Sequence, residues 1–258
     1  MTQGDAVATA LAASACLVAS AFCLLTIDRW FRRRSPHDLA WSVAMALFVL
    51  GAGALWWAES RGWSPVTFRV FFLAGAVLNV AWLALGTVYL LFGRRIGDAT
   101  RTILLLLSGY ATGVVVMAPM RAPVDPDSFP TAKELFGVTP RILAAVGSGV
   151  PAMVIIVGAL WSALRVARGR IPAATTSARR AATSPRMLAL GNVLIAIGAV
   201  ILSASGTLAG RLGKDKAFAV TLAVGVVVLF AGFMVASNAV GTRPRISATL
   251  AAALSPSH

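Results

Sequence analysis

The stretch "FFLAGAVLNVAWLALGTVYLL", residues 71–91, decides the fold class. It contains no charged residue and has the length, about 20 apolar residues, that an α-helix needs to cross a bilayer. One residue resists the pattern. Asn79 puts an amide near the middle, with Trp82 one turn on, where lipid offers no hydrogen-bond partner. An amide kept there serves either helix packing or a ligand.

The rest of the chain repeats the apolar pattern. Of 258 residues, 58% are hydrophobic and 12% charged, and the mean hydropathy is +0.82. A soluble domain carries about 25% charged residues. The expected fold class is therefore an all-α integral membrane protein. Seven segments are expected to span the bilayer: 6–26, 39–57, 67–92, 102–120, 141–165, 187–209 and 217–240. They form one heptahelical domain over 1–240, followed by a flexible tail over 241–258. Barrel strands are excluded, because those are half as long and alternate in polarity. No basic stretch precedes the first span, so it is expected to stay as a helix and escape cleavage. Four spans are introduced by Ser35-Pro36, Ser64-Pro65, Thr139-Pro140 and Ser184-Pro185. A hydroxyl caps a free N–H there, and proline fits the first helical turn. His37 is read as part of a capping-box variant with Ser35 and Asp38.

The net charge of +14 does not point to nucleic acid, because the basic residues sit in short clusters between apolar spans. Segments 27–38, 93–101, 165–186 and 241–258 hold 15 Arg against Asp28, Asp38 and Asp98, a net +12. The opposite side, counting Arg69 at the head of the third span, holds eight basic and six acidic residues, a net +2. The positive-inside rule then places the N-terminus outside and the C-terminus in the cytoplasm of a bacterial plasma (inner) membrane. The expected partners are the lipid bilayer and, at the cytoplasmic Arg clusters, anionic lipids. Trp56, Trp57 and Trp63 are expected in an outer interfacial belt, and Trp30, Trp41 and Trp161 in an inner one. The outer loop 121–141 either covers the bundle or merely connects two spans.

"SPHDLAWSVAMALFVLGAGAL" aligns with "SPRMLALGNVLIAIGAVILSA" at an offset of 149 residues. Two readings stand. Helices 1–3 and 5–7 form a 3+1+3 parallel repeat around helix 4, or the match reflects shared apolar composition.

The chemistry is defined mainly by what the spans lack. Two histidines, His37 and His258, cannot build a three-histidine zinc site or a bis-histidine haem site. No Lys lies inside a span, so a retinal Schiff base has no anchor. No phosphate-binding glycine motif occurs, and no Asp or Glu lies deep in a span to couple an ion. An enzyme, a metal and a cofactor are therefore not expected. Cys16 and Cys23, seven residues apart, rise about 10.5 Å along one helix, too far for a disulfide.

What remains is polar but uncharged. Asn79 and Trp82 share a face of helix 3 with Gly75 and Gly86. Asn192 and Ser203 share a face of helix 6. Small residues let helices approach, and an amide can bond across the contact. The sharper reading is that Asn79, Trp82, Tyr110, Asn192 and Ser203 line a ligand cavity. Glu59 and Arg69 form a charged outer rim. Transport of a small neutral, zwitterionic or lipidic molecule is the leading expectation. A heptahelical sensor and an accessory subunit of a membrane complex, with a protein partner, are the alternatives.

Overall fold

A computed structural model describes residues 3–167 and parts of 187–201 and 221–235. Among the described residues there are helices and turns and no strand. Four helices are long and apolar enough to cross a membrane: Ala12–Arg33, Pro36–Arg61, Pro65–Met117 and Val138–Trp161. The described chain is nearly all helical, and its four long apolar helices could span a membrane.

Helix α1 (Gln3–Arg33) runs past the expected end of the first span. Asp28 and Arg32, one turn apart and 2.9 Å from each other, form an exposed pair on the added turns. Basic side chains also suit the negative end of a helix dipole. The helix stops at Arg34, which takes a left-handed φ of 52° and donates its N–H to the Trp30 carbonyl at 2.7 Å. Its guanidinium then lies over the Trp30 and Phe31 rings.

Helix α2 (Pro36–Arg61) follows at once. Ser35 does not cap it in the expected way, since its hydroxyl makes no bond to the helix backbone and donates to the Asp38 carboxylate. At the other end of α2, Ser64 does build a capping box. Thr67 N–H donates to Ser64 Oγ at 3.2 Å, and Ser64 N–H donates to Thr67 Oγ1 at 2.9 Å.

The third long helix is neither regular nor straight. Helix α3 (Pro65–Phe71) passes into a π-helical segment (Phe72–Leu78), which leads into α4 (Asn79–Met117). Gly93 inside α4 has φ 82° and ψ −177°, a conformation glycine adopts without a Cβ clash, and it folds the helix back. Two hydrogen bonds record the fold. Trp82 Nε1 donates to Ser108 Oγ at 3.2 Å, 26 positions later, and the Tyr89 hydroxyl donates to Asp98 at 2.8 Å. A straight helix would hold Trp82 and Ser108 about 39 Å apart. Helix resumes directly after Gly93, so most of the loop expected at 93–101 is helical. Asp98 pairs there with Arg94 and Arg101, at 3.6 and 3.7 Å.

Residues 118–137, including the short α5 (Ala132–Leu135), form a cap on the bundle end opposite Arg29 and Arg94. Trp63 N–H donates to the Pro126 carbonyl at 2.9 Å, and Arg121 N–H to Leu135 at 3.0 Å. Phe129 and Phe136 pack among Trp63, Phe68, Phe71 and Phe72. Trp63 is only 5% exposed. It belongs to this aromatic core and not to an interfacial belt. Trp41 is buried as well, whereas Trp56 and Trp57 stand outside.

Helix α6 (Val138–Ala167) then returns along the bundle. It and α2 meet the π segment through glycine. Gly51 of α2 backs onto the Gly75 backbone, and a Cβ at Gly147 of α6 would lie 2.6 Å from the Val77 carbonyl oxygen. A Cβ at Gly149 would meet nothing within 4 Å. Gly147→Ala is therefore expected to lower stability by about 1–3 kcal/mol through overpacking. Gly149→Ala should be neutral or stabilising by up to about 1 kcal/mol through helix propensity. Thermal unfolding of the two purified variants checks the contrast.

Candidate functional site

The site is built around the lower end of the π segment. The Asn79 N–H bonds the Ala74 carbonyl five residues back, closing the last wide turn. Its side chain, 7% exposed, faces a cavity of about 20 Å³, room for one water-sized molecule. The walls are Met45 and Phe48 of α2, Val80 and Leu83 of α4, and Ala199, Val226 and Leu229. No wall residue carries a charge. Asn79 Oδ1 is buried and meets no hydrogen-bond donor among the described residues. A buried amide oxygen without a donor costs roughly 1–3 kcal/mol.

Several hydroxyls in the spans do find partners. Thr26 Oγ1 donates to the Cys23 carbonyl, Ser42 Oγ to Asp38, Thr112 Oγ1 to Ser108 and Ser148 Oγ to Ala144. Each returns to its own helix, as hydroxyls do where no water is present. Asn79 Oδ1 finds no partner, and neither do the buried Arg29 Nε, Arg69 Nε and Thr131 Oγ1 among the described residues; Asn79 also lines the cavity, and that makes it the candidate ligand contact.

The remaining residues singled out by sequence are distributed around this point. Trp82 is held by Ser108 in the α4 hairpin. Tyr110 is 58% exposed on the outside of the bundle. Asn192 and Ser203 lie outside the described residues. At the rim, Arg69 Nη2 donates to the Ala118 carbonyl at 2.7 Å, tying α3 to the cap. The Glu59 carbonyl accepts from Thr9 at 3.1 Å.

A second polar cluster gathers Arg29 onto the three residues expected as a capping-box variant, Ser35, His37 and Asp38. The turn at Arg34 and Ser35 brings α1 back against the start of α2, and Asp38 becomes 2% exposed. Its carboxylate takes the Ser35 hydroxyl, with Arg29 Nη2 at 3.5 Å and His37 Nε2 at 3.8 Å. The sequence signal was a basic and an acidic residue flanking a two-residue turn. Buried charges of this kind need their partners, so the cluster locks the α1–α2 hairpin.

No protein-family model matches the chain, and no curated protein matches its sequence.

Two predictions follow the contrast between the clusters. Asn79→Leu should leave stability unchanged or raise it by about 1–2 kcal/mol, because no hydrogen bond from the described residues to Oδ1 is lost. An amide acting as interhelical glue would instead cost about 0.6–2 kcal/mol on removal. Asp38→Ala should lower stability by about 3 kcal/mol by stranding Arg29, while Asp28→Ala, which removes an exposed pair, should cost under about 1 kcal/mol. Denaturation midpoints of the three variants in one detergent decide both.

Proposed function

We propose that the chain is a seven-helix bacterial plasma-membrane protein that passes a small molecule through the bundle at Asn79, where the cavity admits one water-sized molecule and has to widen for anything larger. The observation that carries this reading is the buried amide oxygen, without a donor among the described residues, facing a cavity between helices. The uncharged walls favour the neutral member of the neutral, zwitterionic and lipidic class. The helical residues described within 187–201 and 221–235 fall where the sixth and seventh spans are expected. The arginine distribution supports an outside N-terminus and a cytoplasmic C-terminus. With a binding role for Asn79 and none of the side chains that acid–base or metal catalysis requires in its cavity, passage or recognition fits better than an enzyme.

The second reading is a sensor, in which the same cavity binds without flux. The docked aromatic cap, which gives the outer end a firm surface, is the observation in its favour.

Single-cysteine accessibility tests the proposal. With Cys16 and Cys23 replaced by Ala, Asn79→Cys is labelled with a membrane-impermeant thiol reagent in cells and in inverted vesicles. Passage predicts labelling from at least one face. Protection from both faces in a folded protein contradicts it.

A further inference from the structure

We infer that the π segment, Phe72–Leu78, is a register switch that ties docking of the outer cap to the way Asn79 meets its cavity. The link to Asn79 rests on the reading of that cavity as the ligand site.

A π-helix is rare, and its i→i+5 bonds are adopted in place of the more stable α pattern only where the surroundings impose them. The surroundings here are specific. At the outer end, Phe72 lies 5.0 Å from Phe136 and Phe71 lies 5.8 Å from Phe129, ring centre to ring centre. Both partners belong to the cap. Arg69, two residues before Phe71, is bonded to the Ala118 carbonyl where the cap begins. On the flanks, Gly51 and Gly147 bring α2 and α6 against the segment's backbone. At the inner end, the Trp82–Ser108 bond pins the helix one turn below Asn79. The segment is thus clamped at both ends, and only the outer clamp belongs to a loop.

Releasing the cap removes the outer clamp. Phe72 and the turns below it are then free to return to i→i+4 bonding. A change of one residue in register rotates one end of a helix against the other by about 100°. With Trp82 pinned, that rotation is absorbed between Phe72 and Asn79, where the side-chain amide meets its cavity. Coupling of this kind is reciprocal, so a ligand at Asn79 would hold the cap down, and a released cap would weaken the ligand site.

Amide hydrogen exchange on the intact chain in lipid nanodiscs tests the inference. Phe129→Ala/Phe136→Ala removes both cap rings. The inference predicts exchange at least tenfold faster in 118–137 and also in 72–79, with 83–92 unchanged. An i→i+5 turn holds one residue more than an α turn, so deleting Ala76 heals the segment to α-helix. In that background the double substitution should speed exchange in 118–137 only. Acceleration confined to 118–137 without the deletion overturns the coupling. A cap that stays protected without its two rings also overturns it. Phe136→Leu, which keeps apolar volume, replaces the double variant if that does not fold. The readout does not use labelling at position 79. Failure of the passage reading therefore appears as protection of Asn79→Cys, and failure of the switch as an unchanged 72–79.

Discussion

A polar group buried among apolar side chains costs free energy until something bonds to it, and a lipid environment offers no water to do so. Most of this bundle meets that requirement internally. Threonine and serine hydroxyls return to carbonyls of their own helices. Trp82 reaches across a hairpin to Ser108. Asp38 is surrounded by Ser35, Arg29 and His37. Asn79 Oδ1 does not meet it. Arg29 Nε, Arg69 Nε and Thr131 Oγ1 are also buried without a partner among the described residues, but Asn79 lines the cavity, and that makes it the candidate contact.

The backbone around Asn79 is unusual for a related reason. A wide-turn segment leads into it, held by glycine contacts on two sides and by the aromatic cap above. Helices approach this closely only where side chains are absent, so Gly51 and Gly147 belong to the site although neither lines the cavity. The cap, the π segment and the amide form one continuous column along the third long helix. The polar cluster at Asp38 sits apart from it and fixes the first hairpin.

The centres of the described spans were legible from hydropathy, because lipid imposes apolar length directly on sequence. Their ends were not. Helix runs through segments that charge alone marks as loops, where Asp28 pairs with Arg32 and Asp98 with Arg94 and Arg101 along the helix surface. Asn79 stood out as an amide in an apolar run, but its surroundings did not. Met45 and Phe48 look like any core residues, and the choice between π and α turns depends on contacts from distant helices. Tyr110 shows the limit of helical periodicity. Spacing tells which residues share a face, not which face packs inward, and this one points outward. Trp63 and Trp41 stand near span ends, as an interfacial belt requires, but Trp63 is covered by Phe129 of the cap and Trp41 packs against Gly86.

The chain contains three asparagines, Asn79, Asn192 and Asn238, which makes the central claim directly measurable. Selective ¹⁵N-asparagine labelling in nanodiscs gives three side-chain amide pairs, and the Asn79→Leu spectrum assigns one of them. If Asn79 faces a ligand cavity, its side-chain amide will show a cross-peak to water or to a bound small molecule. An Asn79 amide without such a cross-peak, and with magnetisation transfer to protein groups alone, would contradict the account and return the residue to helix packing.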